Sequence, residues 1–193
     1  MSALYAPPGL AVVPWERGHA EGIGWAEFSP CERYRYRLGR SWAPPGPRLV
    51  FVGLNPSTAE AGFDDPTIRK ICGFAMRWGM TGLDMLNLFA MRSTDPRALS
   101  TPPPAGPVGT GNATAIVQAF ERARMRADRV VFGWGNNVRL AAGGSVWAER
   151  VRSTALDTLN MEVWCFRMTK EGQPQHPLYL SDQANLIRME ASS

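Results

Sequence analysis

Leu49-Val50-Phe51-Val52-Gly53-Leu54-Asn55-Pro56-Ser57-Thr58 is the stretch on which the fold turns. Four consecutive apolar residues ending at a glycine read as a short strand buried on both faces, and the Asn-Pro-Ser that follows reads as a turn leaving a sheet. A helix is expected next. Asp65-Pro66 supplies an N-cap and a first helical residue, Ile68, Ile71, Cys72, Ala75 and Met76 recur at helical spacing, and Gly79 closes the segment. Leu83 to Phe89 reads as a second strand, Arg129 to Phe132 as a third and Met161 to Phe166 as a fourth. Between them lie an amphipathic helix carrying Ile116, Val117, Phe120 and Ala123, and another capped by Ser145 and carrying Trp147, Val151 and Ala155; Asp182 to Met189 is expected to form a closing helix. Strands alternating with helices imply an α/β fold in three layers, with a mostly parallel sheet of about four strands covered on both faces.

Outward from this frame the pattern weakens. Residues 1–32 are rich in Pro and Gly without clear periodicity and are expected to form an N-terminal arm packed on the domain, with residues 33–193 making a single α/β domain. In Arg33-Tyr34-Arg35-Tyr36-Arg37-Leu38 apolar residues alternate with arginine, the period of a strand with one buried face. Its arginines are expected either on a solvated face or on a basic edge toward nucleic acid. A Pro- and Gly-rich connection spans 102–111, with a Pro cluster at 102–104.

Composition narrows the class. At 193 residues the chain suits one domain, since domains of roughly 100–200 residues are the commonest size. Its 45% hydrophobic and 20% charged content is that of a globular protein, and no apolar run approaches the ~20 residues that span a bilayer. The first residues lack a basic stretch followed by an apolar core, so a cytoplasmic location without membrane association is expected. Cys31, Cys72 and Cys165 are odd in number and widely spaced, which argues against a disulfide framework and against a metal held by cysteine; no metal and no cofactor are expected. The net charge of +4 suits a polyanionic partner, and all but Lys70 and Lys170 of the 21 cations are arginine. An arginine-rich composition arises equally from a GC-rich genome. Nothing in the sequence sets the oligomeric state.

In open parallel sheets, ligands bind beyond the carboxyl ends of the strands. Each of the four expected strands ends in unusual residues: Asn55-Pro56-Ser57 after the first, Asn87 inside the end of the second, Gly133-Trp134-Gly135 after the third, and His176-Pro177-Leu178-Tyr179 after the fourth. Singly, each has a structural explanation as a turn, a satisfied core amide, a packed aromatic or a loop histidine. Jointly, they mark one edge of one sheet as the candidate site.

Two resemblances rest on these residues. Tyr36-Arg37-Leu38 with Arg40 and Trp42, Leu54 to Ala59, Asp64 to Arg69, Asn87 to Ala90, Trp134-Gly135, and Thr169 to Gly172 through His176 to Leu180 resemble a bacterial and phage family known as domain of unknown function 1643. Gly53-Leu54-Asn55-Pro56 is similar to the water-activating Gly-x-Asn-Pro motif of mismatch-specific uracil and thymine glycosylases, and His176-Pro177 resembles the His-Pro motif with which the uracil-DNA glycosylase superfamily stabilises the departing base. Asn87 ends its strand where those enzymes carry the asparagine that reads the base. This second resemblance implies a uracil-DNA-glycosylase-like fold and an N-glycosidic-bond hydrolase acting on a pyrimidine, modified or unmodified, in DNA or a nucleotide. The chain departs from it after His-Pro, where Leu178-Tyr179-Leu180 stands in place of a small residue followed by a wedge.

On that reading Asn55 orients water and His176 donates to the developing base anion. Asn87 pairs with the pyrimidine edge, Phe63 stacks on the extruded base or else anchors its loop in the core, and Leu178 or Tyr179 serves as the wedge. Pro56, Ser57 and Trp134 complete the expected substrate contacts. A non-catalytic nucleic-acid or nucleotide-binding protein would use the same arginines and aromatics without needing Asn55. A small-molecule hydrolase or transferase would instead use Asp64 or Asp65 as its base, although Asp65 before Pro66 equally suits a helix cap.

Overall fold

The computed structural model describes residues 4–100 and 106–191. The Pro cluster at 102–104 lies outside the described residues. β-Strands are β1 (Val13–Arg17), β2 (Ala20–Phe28), β3 (Arg35–Ser41), β4 (Leu49–Gly53), β5 (Gly82–Asn87), β6 (Arg129–Phe132), β7 (Val163–Cys165) and β8 (Ile187–Arg188); the helices are α1 (Pro66–Arg77), α2 (Asn112–Arg126) and α3 (Gly144–Ser153). They build a mixed α/β fold on one eight-stranded sheet of order β1-β2-β3-β5-β4-β6-β7-β8.

The expectation of about four mostly parallel strands is corrected. The four expected strands do form the parallel block β5-β4-β6-β7. Antiparallel pairings extend it, β1 with β2, β2 with β3 and β3 with β5 on one side and β7 with β8 on the other. These extensions escape a period-2 reading because β1 contains Pro14, β2 contains Gly22 and Gly24, and β8 is only two residues long. The segment read as an N-terminal arm thus holds a hairpin that is hydrogen-bonded into the sheet.

β4 explains why the chain is layered. Val50 and Val52 enter one core, with Ile116, Ala119 and Phe120 of α2 and Val151 of α3. Leu49 and Phe51 enter the other, with Ile68, Ile71, Cys72 and Ala75 of α1. Alternate residues of one strand therefore serve two separate cores, which is why β4 reads as an unbroken apolar run. α1 begins where expected: Asp65 accepts a hydrogen bond from Ile68 N (2.8 Å), and Pro66 occupies the first turn, where its missing N–H costs nothing.

Three local expectations are also corrected. Ser145 does not cap α3, which starts at Gly144 behind a left-handed Gly143 with no side-chain cap. Asp182 to Met189 is not a helix, because its apolar residues serve opposite faces of the sheet, Ala184 and Leu186 packing on the core under α1 and Met189 on the core under α2. A single helical stripe cannot do both. The arginine-bearing strand β3 has neither a solvated arginine face nor a free edge, since it is paired on both sides and buries Arg35 and Arg40.

Candidate functional site

The register of β4 and β5 sets Gly53 beside Asn87 at their carboxyl ends. A Cβ at residue 53 would stand 2.6 Å from Met85 Cε and 3.0 Å from Asn87 Nδ2, so the glycine that ends β4 admits the asparagine that ends β5. Beyond this pair lies a cavity of ≈ 50 Å³ lined by Arg35, Asn55, Ser57, Asp65, Thr67, Asn87 and His176, with Phe51, Met85 and Ile68 as its apolar floor.

Asn55 is fixed by its amide nitrogen, which donates to Ser93 O (2.9 Å), Pro56 O (3.1 Å) and, more weakly, Met91 O (3.5 Å). Its Oδ1 has no protein partner among the described residues and is the atom the side chain can offer a ligand. Asn87 is 2% exposed and accepts at Oδ1 from Arg35 Nη2 (3.4 Å), while its backbone carbonyl accepts from the buried Asn112 (2.9 Å). Its Nδ2 has no partner among the described residues, so Asn87 presents a donor.

His176 is placed from two directions. The preceding loop folds back through Thr169 N to Gln173 O (2.8 Å) and Gln175 N to Arg167 O (2.9 Å). Gly135 N then donates to Pro174 O (2.8 Å), and Trp134 Nε1 donates to Gln173 Oε1 (2.8 Å), stapling the loop to the end of β6. Gly135 adopts φ 71°, and a Cβ there would be 3.2 Å from His176 Cβ, which explains the glycine. Nδ1 of His176 accepts from Leu178 N (3.4 Å), so the neutral imidazole carries its proton on Nε2. Burial lowers the pKa of His176, opposed by the negative charge of Asp65.

Arg35 is the residue that sequence reasoning missed. It is 2% exposed, donates to Ala59 O (2.6 Å) and to Asn87, forms no ion pair among the described residues and leaves Nε without a partner. Burial pulls its guanidinium down to about 10, with Asp65 opposing the shift, so it stays cationic at neutral pH. No local signal separates Arg35 from Arg33 and Arg37, which share its alternation.

The remaining expected residues divide. Ser57 lines the cavity, whereas Pro56 is buried outside its lining and its carbonyl accepts from Asn55. Trp134 is 2% exposed, packs on Phe132 at 4.8 Å between ring centres and does not line the cavity; it acts on the site through Gln173. Phe63 is 62% exposed and also lies outside the cavity lining, its loop being held by backbone bonds with Glu60 and by the Arg40 guanidinium, which donates to Phe63 O. Tyr179 is 89% exposed and faces a separate depression, and Leu178 lines a neighbouring groove. Asp64 is committed to Arg40 (2.8 Å) and Trp15 Nε1 (3.1 Å), and Asp65 to the cap of α1, although Asp65 also borders the cavity.

The cavity therefore presents donors on Asn87 and His176, the cation of Arg35, one amide acceptor and the carboxylate of Asp65, a set suited to the polar edge of a ligand that both accepts and donates hydrogen bonds. It has room for a few waters at ~10–15 Å³ each and is far smaller than the ~300–1,000 Å³ of pockets that enclose whole ligands. A ring would enter only as the lining shifts. Among the described residues no group of three His, Cys, Asp or Glu side chains is arranged to hold a metal, and no helix is long and apolar enough to cross a membrane.

Nothing among the curated proteins or the solved structures matches the chain. The sequence model of a family described as Protein of unknown function (DUF1643) does match, over residues 35–178, from the buried arginine to the residue two beyond the cavity histidine. That span is most of the chain and contains every residue named above as lining the cavity, so the protein belongs to the DUF1643 family.

Proposed function

We propose that the protein is an N-glycosidic-bond hydrolase acting on a pyrimidine, modified or unmodified, in DNA or a nucleotide, on a scaffold like that of the uracil-DNA glycosylase superfamily. The observation that carries this reading is the convergence of Asn55, Asn87 and His176, from three separate segments of the chain, on one cavity. In the reaction the C1′–N bond breaks with its electron pair leaving on the base, and water adds to the oxocarbenium carbon and releases a proton. Asn87 Nδ2 and His176 Nε2–H donate to the base oxygens as negative charge develops, strengthened by the nearby cation of Arg35. Asn55 Oδ1 orients the water, which needs little activation against so electrophilic a carbon.

A second reading, a non-catalytic nucleic-acid or nucleotide-binding protein, is favoured by the small cavity and by Asn55 being accounted for as the anchor of its own loop. The two part on one assay, release of free base from oligonucleotides carrying uracil, mismatched thymine or 5-substituted pyrimidines. Hydrolysis predicts release by the wild type, lowered about 10²–10³-fold in His176→Ala, the usual cost of one lost oxyanion donor. Asn55→Ala lowers it as well. Oligonucleotide binding with no release from any substrate would leave the binding reading.

A further inference from the structure

Beside the cavity runs a groove of ≈ 430 Å³ whose charged lining is Arg17, Arg69, Lys70 and Arg77 against a single carboxylate, Asp182. Three of the cations come from α1, and the fourth reaches across from β1. Gly73 makes room for it: a Cβ there would stand 3.2 Å from Arg17 Nη2. A glycine inside a helix is destabilising, and here its effect is to bring a further positive charge to a face that already carries three. Arg17 and Arg69 have no carboxylate partner among the described residues; Arg69 donates to Asp64 O (2.6 Å), and Arg77 is steadied by Ala184 O (2.8 Å). Only Lys70 is paired, with Asp182 at 2.5 Å. Groove and cavity are lined by adjoining positions of the chain: Pro66 and Arg69 of the groove flank Thr67 and Ile68 of the cavity, and Leu178 follows the cavity's His176 by two residues.

From this clustering we infer that the groove binds the phosphodiester backbone of a nucleic-acid strand, holding the phosphates that flank a base presented to the cavity. The inference rests on the pyrimidine reading above and sharpens it, since the substrate is then a polymer and not a free nucleotide. Guanidinium groups without carboxylate partners suit phosphate oxygens through paired N–H donors, and every phosphate neutralised releases counterions.

The test is binding of a labelled, undamaged single-stranded oligonucleotide, followed by fluorescence anisotropy over a series of salt concentrations. Arg69→Gln combined with Lys70→Gln is expected to weaken binding and to reduce the slope of log affinity against log salt by about 0.7 for each phosphate that is no longer neutralised. Asp182→Asn is expected to tighten binding several-fold, a change of opposite sign that misfolding cannot imitate. Unchanged affinity and slope in the double variant, with an unaltered melting temperature, would overturn the assignment. So would tighter binding of polyglutamate than of the oligonucleotide, which would make the partner an acidic peptide. Groove-dependent binding without base release retains the groove and removes the hydrolase; base release at the wild-type rate by the double variant does the reverse.

Discussion

Arg35 and Arg40 sit five residues apart on β3, both out of water, yet their surroundings differ in kind. Every nitrogen of Arg40 has a partner. Asp64 meets it at 2.8 Å, and the carbonyls of Gly39, Glu60 and Phe63 accept from its Nη atoms. Arg48, the residue before β4, repeats the pattern with Asp84 at 2.8 Å and the carbonyls of Arg40 and Leu83. Arg35 has no ion pair among the described residues, one unsatisfied nitrogen and a cavity in front of it. A buried charge held only by neutral acceptors is costly, and the cavity leaves room beside Arg35 for a group that would complete its shell. The same chemistry is scaffold at one end of the strand and a candidate binding group at the other.

The two arginines are expected to differ most in what they contribute to stability. Arg40→Met leaves Asp64 desolvated with only Trp15 as donor and is expected to cost about 3–5 kcal/mol in urea unfolding, the range for removing one member of a buried pair. Arg35→Met removes a charge that lacked such a pair and strands only neutral acceptors, so its cost is expected to be about 1–2 kcal/mol. The same variant should lose most base release or ligand binding. Equal losses of stability in the two variants would erase the distinction.

His176 belongs with Arg35, being largely buried beside Asp65 without a salt bridge, and it sharpens the comparison through pH. Because burial depresses its folded pKa below the unfolded value, the unfolded chain binds more protons in the interval between them. The stability that His176 contributes is therefore fully present above the ordinary histidine range and is lost as pH falls through that range toward the depressed value. His176→Gln should flatten this part of the pH–stability curve, and an unchanged curve would mean that the imidazole remains as hydrated as in the unfolded chain.

Much of the central block was legible because its signals are local. The apolar run of β4, the Asp65-Pro66 start of α1 and Arg129–Phe132 of β6 depend on burial patterns and caps encoded within a few residues of each other. Asn55, Asn87 and His176 could be placed at one edge because strand ends are local features and parallel strands point the same way. The hairpin of β1 and β2 was not legible, since Gly22 and Gly24 interrupt its alternation for a tertiary reason: a Cβ at residue 24 would lie 1.9 Å from Ala61 O. The positions of Trp134 and Phe63 were likewise decided by packing, which places one in the core and the other on the surface.

By itself the sequence determined the family, the parallel core strands with their first helix, and the residues gathered at the strand ends. Only the tertiary structure decided that β3 lies between β2 and β5, and that decision settles which arginines are buried. An alternating pattern specifies two faces but not what covers them. With β3 inside the sheet, Arg40 meets the carboxylate of Asp64 while Arg35 meets the ends of β4 and β5, and long-range strand order, not local periodicity, separates a structural arginine from one that borders the cavity.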